Sequence, residues 1–282
     1  MLRGLPRRLD FTDHRRELDA YRYVYAVVSR RSRGLSVGVN LNPDKVCNFD
    51  CPYCQVDRTT PGDPSLVDVE ALAAELDDLL QRASAPGFWA TPPFDTVAAP
   101  LRRLADVAFS GDGEPTTPPA FPEAAAAARA VRDRRAPGAP LRLITNATML
   151  DRPRVRDALG SFHELWCKLD AGTPEYFALA DGTRFPFDRL LANLLAVARE
   201  RPIVLQSLFL AWAGAGPSDA ELAAYVERVR ELREGGGRIA SVQVYTVARR
   251  PADARAGALP LERLEQIAAR VRELGIQAEA FA

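Results

Sequence analysis

The chain alternates short strand-like runs with amphipathic helical patterns along most of its 282 residues. Apolar runs predict strands at residues 35–41, 104–110, 141–146, 163–170, 203–210, 241–247 and 276–282. Helical spacing of apolar residues predicts helices at residues 67–83, 120–135, from near 151, 174–180, 186–200, 218–234 and 260–274. Repeated strand–helix units indicate parallel strands joined by helical crossovers, so the predicted class is α/β.

Two α/β architectures fit this pattern. The strand–helix units are too few for a closed eight-stranded barrel, and no G-x-G-x-x-G motif follows the first strand. A doubly wound sheet and a partial, open barrel fit equally well, and both place chemistry at the carboxyl ends of strands. We expect residues 35–282 to form one domain and residues 1–34 an N-terminal extension, either an arm or a short hairpin. The Pro-rich and aromatic stretch 84–100 is interpreted as an insertion over one face.

Composition and charge exclude several classes of protein. Lys+Arg and Asp+Glu balance at 37 each, so no overall basic field indicates nucleic acid. No apolar run approaches the roughly 18 residues of a membrane span, and the first residues lack the apolar region of a signal peptide. We therefore expect a cytoplasmic protein without a membrane partner. Clustered cysteines in a reducing compartment indicate metal binding or redox chemistry.

Three of the four cysteines lie in the segment CNFDCPYC, at Cys47, Cys51 and Cys54, and Cys167 stands alone. A structural zinc site needs four nitrogen or sulfur ligands, and neither histidine of the chain lies at ligand spacing. A [4Fe–4S] cluster usually takes four cysteines, so three would leave one iron without a protein ligand. The spacing C-x3-C-x2-C thus favours a cluster whose open iron binds a substrate or cofactor. Cys167 is interpreted as a packed thiol.

Polar motifs follow the predicted strands. SGDGEPT comes after the second strand, TNAT after the third and KLDAGT after the fourth, and each is richer than a turn requires. Glycines in such a loop allow a ligand to approach the backbone closely. The chain has two lysines, Lys45 and Lys168, and both lie close to cysteines. Either a compact ammonium is required at these two positions, or the scarcity of lysine reflects only a coding bias towards Arg.

The cysteine spacing after a strand, with Tyr53 just before the last cysteine, resembles radical S-adenosylmethionine (SAM) enzymes. The resemblance implies a partial (β/α)6 TIM-like barrel and a [4Fe–4S] cluster on Cys47, Cys51 and Cys54. It also implies SAM as the second cofactor, with its amino and carboxylate groups on the open iron. Reductive cleavage of SAM would give methionine and a 5′-deoxyadenosyl radical that abstracts hydrogen.

The resemblance extends to the polar motifs. Residues 111–114 match the family's glycine–glycine–glutamate motif, whose glycines approach the methionine ammonium and whose Glu supplies a carboxylate partner. The cofactor-binding residues implied in this way are Tyr53, Gly111, Asp112, Gly113, Glu114, Asn146, Lys168 and Asp170. Two alternatives stay open: Asn146 as a turn residue, and Lys168 with Asp170 as a surface salt bridge.

Residues from about 35 to 255 more narrowly resemble iron–sulfur oxidoreductases related to the wybutosine-type tRNA-modifying enzymes, although these residues contain no flavodoxin-like segment. The implied function is hydrogen abstraction from an unknown small molecule or protein, with an electron donor such as flavodoxin or ferredoxin. A tRNA-modifying enzyme is a less favoured alternative, supported by nine Arg against four acidic residues in residues 1–35. Its candidate phosphate contacts are Arg7, Arg8, Arg15, Arg16, Arg30 and Arg31. A third possibility is a non-enzymatic iron–sulfur carrier or sensor.

Overall fold

The computed structural model describes residues 21–282. Ten strands are present in this part of the chain: β1 Val24–Ser29, β2 Gly34–Val39, β3 Leu104–Phe109, β4 Leu141–Thr145, β5 Glu164–Lys168, β6 Ile203–Leu208, β7 Leu210–Trp212, β8 Ile239–Tyr245, β9 Ala256–Ala258 and β10 Ala278–Phe281. The α-helices are α1 Val69–Ala83, α2 Phe121–Arg135, α3 Pro153–Ala158, α4 Pro174–Asp181, α5 Phe187–Glu200, α6 Asp219–Glu234 and α7 Leu261–Arg272. No helix among these residues is both long and apolar enough to cross a bilayer.

Eight strands form one sheet in the order β1-β2-β3-β4-β5-β6-β8-β10, which follows the chain. From β2 onward neighbouring strands are parallel, and a helical segment precedes each new strand. A doubly wound sheet would reverse its strand order near the middle. The unbroken order therefore identifies a curled half-barrel, and the predicted partial (β/α)6 barrel is confirmed.

Strand alternation separates an apolar outer layer from a polar interior. On β3, Val107 and Phe109 belong to the core that the helices cover. Asp106 lies on the opposite face, where it accepts hydrogen bonds from Ser36 and Arg142. Successive strand residues point to opposite faces, so the polar side chains of alternate positions line the inside of the half-barrel.

The first strand lies within the segment predicted as an extension. All six residues of β1 pair with β2 in antiparallel register, so the short hairpin was the better of the two expectations. The turn after β1 reaches the opposite edge of the sheet, where Arg30 donates to the Ala282 carbonyl and Arg33 pairs with Glu279. The division at residue 34 stays a prediction, and Arg7, Arg8, Arg15 and Arg16 lie outside the described residues.

One part of the topology was not predicted. The apolar run 203–210 is interrupted after Leu208, and β7 leaves the main sheet to pair with β9 in an antiparallel ribbon. These strands have three residues each, too short to produce a recognisable alternation. The stretch 84–100 forms three short 3-10 turns, with Phe88 and Phe94 buried in the core.

Candidate active site

The clustered cysteines lie on the long loop after β2, at the carboxyl end of the sheet. Cys47, Cys51 and Cys54 are free thiols of intermediate exposure. Burial raises the pKa of both Cys47 and Cys51, so binding a metal there requires loss of their protons. Cys167 is buried in β5, where desolvation raises its pKa to about 12. The interpretation of Cys167 as a packed thiol agrees with this position.

Contacts with two neighbouring elements hold the cysteine loop in place. Phe49 packs edge-on against Phe177 of α4, with ring centroids 5.7 Å apart. The Asn48 carboxamide accepts from Asn146 Nδ2 at 2.7 Å and donates to Thr148 Oγ1 at 2.7 Å. Both hydrogen-bonding partners follow β4, so the sheet determines where the loop sits.

The glycine-rich turn after β3 packs directly against this loop. A Cβ at Gly111 would collide with the Asn40 carboxamide, and one at Gly113 would collide with the Val46 carbonyl. Asn40 Nδ2 also donates to Asp112 Oδ2 at 2.8 Å. The glycines at these two positions are therefore required for the close approach of the two loops.

Glu114 is buried and links the ends of β3 and β4. Its Oε1 accepts from Thr116 Oγ1 and Thr145 Oγ1, each at 2.6 Å, and from the Thr116 backbone N–H at 3.2 Å. Its Oε2 accepts from the Asn146 backbone N–H at 2.7 Å. Desolvation raises the pKa of Glu114, and these hydrogen bonds act in the opposite direction. Both oxygens of the carboxylate thus accept hydrogen bonds from groups of the protein itself.

Lys168 lies at the centre of a buried charged cluster. Its ammonium pairs with Asp170 and with Asp181 Oδ1, the latter at 2.8 Å, and lies 4.4 Å from the centroid of the Tyr53 ring. Tyr53 donates to Asp170 Oδ2 at 2.5 Å, and Cys51 Sγ lies 3.7 Å from Asp181 Oδ1. The lysine is 16% exposed and Asp170 is fully buried, so the alternative of a surface salt bridge is wrong.

The charges of this cluster do not balance, since one ammonium faces two carboxylates. Burial alone would lower the pKa of Lys168, but Asp170 and Asp181 together hold it well above its usual value. Desolvation raises the pKa of Asp181 to about 7, and its Oδ2 is buried without a hydrogen-bond partner. Burial thus favours the protonated form of Asp181, and the Lys168 ammonium acts in the opposite direction.

A cleft of about 680 Å³ opens where these elements meet. Its lining includes Tyr53 and Cys54 from the cysteine loop, Gly111 and Asp112 from the glycine-rich turn, and Tyr245 from β8. Four of the predicted site residues thus line one concavity at the carboxyl end of the half-barrel: Tyr53, Cys54, Gly111 and Asp112. The others are not part of the lining that the described residues form: Cys47, Cys51, Gly113, Glu114, Asn146, Lys168 and Asp170. Among residues 21–282, no three Cys, His, Asp or Glu side chains converge closely enough to hold a single metal ion.

Comparison with known proteins identifies the family. The model of the radical SAM superfamily matches residues 41–200, which is more than half of the chain. The chain belongs to the radical SAM superfamily. Enzymes of this superfamily use a [4Fe–4S] cluster and SAM, and they require an electron donor and a substrate.

Several known proteins resemble this chain in structure or in sequence. A radical SAM methyltransferase from Sphaerobacter thermophilus has a TM-score of 0.62 and 18% identity, covering 92% of this chain and 68% of its own. The structure of TYW1 with a lysine–pyruvate adduct bound has a TM-score of 0.61 and 13% identity, covering 91% and 85%. Such low identities show the shared fold alone. The sequence is also 25% identical over 247 residues to a protein named GTPase Obg from Brachyspira hyodysenteriae, over 85% of this chain but only 32% of that protein.

The donor set fits the cluster of this superfamily. Three unpaired thiols on one loop are soft ligands of the kind that iron–sulfur clusters take. In a cubane cluster each thiolate binds a different iron, so the sulfurs need not converge on one point. The cleft reaches Cys54 directly, which leaves space for a small cofactor beside the cysteine loop.

Several residues of the site were not predicted from the sequence. Asp181 ends α4 and reaches Lys168, and Asn48 joins the cysteine loop to β4. Arg58 donates from Nη2 to Cys54 Sγ at 3.8 Å. Only Arg58, four residues after the last cysteine, carries a signal that the sequence pattern could have revealed.

Replacing Glu114 by Gln is expected to lower the free energy of unfolding by about 1–3 kcal/mol. Every oxygen of Glu114 faces donors, so either orientation of the new amide places an N–H against another donor. Urea unfolding measures the change. Glu273→Gln is the control, since Glu273 is exposed and should change stability by no more than about 0.5 kcal/mol. Equal stability of the two variants would contradict the role given to Glu114.

Proposed function

We propose that this chain is an enzyme of the iron–sulfur oxidoreductase class that cleaves SAM reductively and abstracts hydrogen from a small molecule or a protein. One observation carries the proposal. The loop with three free thiols and the glycine-rich turn lie against each other at the carboxyl end of the half-barrel, and both border the 680 Å³ cleft.

In this proposal Cys47, Cys51 and Cys54 hold the [4Fe–4S] cluster. When bound, the cluster supplies the electron that cleaves the sulfonium of SAM to methionine and a 5′-deoxyadenosyl radical. Arg58 donates to Cys54 Sγ and helps to fix the position of this thiol. Asn48 and Phe49 keep the loop in one position, so that the thiols need little reorganisation when the cluster assembles.

The remaining predicted residues would shape the SAM site. Gly111 and Asp112 offer backbone and carboxylate oxygens beside the cleft, where a methionine ammonium could be bound, and Gly113 allows the turn to pack against the cysteine loop. Glu114 and Asn146 would support this site through hydrogen bonds of their side chains that fix the turn and the cysteine loop. Tyr53, Lys168 and Asp170 form a connected polar cluster that reaches Cys51 through Asp181.

The proposal includes a cytoplasmic location and a small reductant such as flavodoxin or ferredoxin. A tRNA substrate is less favoured. Of the candidate phosphate contacts, Arg30 donates to the Ala282 carbonyl, and Arg31 lies over the rings of Trp166 and Tyr245 inside the half-barrel. Neither forms part of an exposed basic surface that a tRNA backbone could follow.

The test is SAM cleavage by the anaerobically reconstituted chain after reduction with dithionite. We expect 5′-deoxyadenosine and methionine in equal amounts, formed slowly without substrate and detected by liquid chromatography and mass spectrometry. A reconstituted protein with its full iron content that forms neither product would refute the proposal and favour the iron–sulfur carrier. Product formation only in the presence of tRNA would favour the tRNA-modifying alternative.

A further inference from the structure

The cleft continues into the interior of the half-barrel. A second cavity of about 210 Å³ lies behind it, and Ser29, Arg31, Gly111 and Arg249 line both spaces. These shared residues mark the passage between the two. A ligand that enters beside the cysteine loop can therefore extend towards the middle of the barrel.

The side chain of Arg31 lies in this passage, against two aromatic rings and with one nitrogen that has no hydrogen-bond partner. Its guanidinium carbon lies 4.6 Å from the ring centroid of Tyr245 and 5.6 Å from that of Trp166. Its Nη1 is buried without a hydrogen-bond partner, and Arg31 pairs with no carboxylate of residues 21–282. A buried charged donor without a partner costs free energy, so such groups usually serve a ligand or another function.

Two nearby arginines, in contrast, have carboxylate partners. Arg33, on the same turn, pairs with Glu279 at the surface. Arg142, which lines the inner cavity, donates to both Asp106 and Glu164. The barrel thus supplies carboxylates to Arg142 and none, within the described chain, to Arg31.

We propose that Arg31 binds an anionic group of the substrate, a carboxylate or a phosphate, inside the half-barrel. This inference rests on the proposed function and assigns the substrate class to the same site. A guanidinium that stacks on aromatic rings keeps the N–H groups of its edge available, and its planar fork matches two oxygens of one anion.

The register of β5 indicates how such a substrate would lie. Trp166 is two residues before Lys168 and projects from the same face, about 7 Å nearer the amino end of the strand. Arg31 contacts Trp166, whereas Lys168 contacts Tyr53 of the cysteine loop. The closer ring contact of Arg31 is with Tyr245, the last residue of β8, so its guanidinium lies between the level of Trp166 and the carboxyl end of the sheet. The anionic group therefore anchors the substrate at the passage between the two spaces, and the rest of the molecule extends towards the cleft mouth, where hydrogen would be abstracted.

Titration of the full chain with inorganic phosphate and with acetate tests this assignment. Tryptophan fluorescence reports binding, because Trp166 lies beside Arg31. We expect Arg31→Gln to weaken binding of at least one probe by tenfold or more, and Arg33→Gln, the control from the same turn, to change it by less than twofold. The preferred probe distinguishes a phosphate substrate from a carboxylate substrate. Unchanged binding in Arg31→Gln, or equal loss in both variants, would overturn the inference.

Competition with SAM separates this site from the cofactor site. The anaerobic wild-type protein, saturated with SAM, should still bind the probe with its original affinity. Displacement of the probe by SAM would assign Arg31 to the cofactor's own carboxylate and overturn the inference. A chain that binds the probe through Arg31 but never cleaves SAM would refute the proposed function and leave the anion site standing.

Discussion

Alanine at Cys47, Cys51 or Cys54 is expected to abolish assembly of the [4Fe–4S] cluster, whereas the wild-type chain should bind about four irons and four sulfides after anaerobic reconstitution. Each thiolate holds a different iron, so no remaining thiol can replace the one removed. Iron and sulfide analysis, together with the visible absorption of the cluster, measures the loss.

Cys167→Ala is the matched control, because it removes the fourth thiol of the chain from a place where a cluster cannot reach. Cys167 is buried in β5 and belongs to the outer core, and burial keeps its thiol protonated. The variant should take up iron as the wild type does, with only a modest loss of stability. Loss of the cluster in this variant would show that the division into three ligands and one packed thiol is wrong.

The fold was largely predictable, because the elements that form it carry strong local patterns. Helix α5 has apolar residues at helical spacing, and β6 is an apolar run interrupted only by Gln206 and Ser207. Both were predicted within one or two residues of their observed ends. The choice between two α/β architectures could not be made from these patterns, since it depends on which strands pair. The observed strand order, which follows the chain, distinguishes the half-barrel from a doubly wound sheet.

The candidate site was predictable only where residues are close in sequence. The cysteines and residues 111–114 form compact motifs, whereas Asp181 meets Lys168 only because α4 folds back onto the cysteine loop. The role of Glu114 was also not predictable, because its four hydrogen bonds come from residues at or after the ends of two different strands. Long-range contacts of this kind leave no periodic signal.

Substitution of each of the two lysines tests the second prediction of a large effect, a loss of stability. Lys168→Met should lower the free energy of unfolding by about 3–5 kcal/mol, since it leaves Asp170 and Asp181 buried without their cation. Lys45→Met should change it by no more than about 0.5 kcal/mol, because the Lys45 ammonium donates to a single group among residues 21–282, the Thr60 carbonyl, at an exposed position. Urea unfolding of the reduced protein compares the two.

The loss in Lys168→Met should depend on pH. Burial holds the pKa of both carboxyl groups above their unfolded values, and removing the lysine raises them further. The folded variant therefore binds protons that the unfolded chain releases, so its stability is retained at low pH and lost as pH rises through the folded pKa values. The difference from wild type should be larger at pH 8 than at pH 5.

Adding Asp181→Asn to Lys168→Met should recover part of the lost stability, because the second substitution removes one of the two uncompensated charges. Asp181→Asn alone should cost less than Lys168→Met, since Lys168 keeps Asp170 as its partner. If the double variant is as unstable as the sum of the two single variants, Lys168 and Asp181 are not coupled. Lys168 would then be retained for contact with a ligand and not for balancing buried carboxylates.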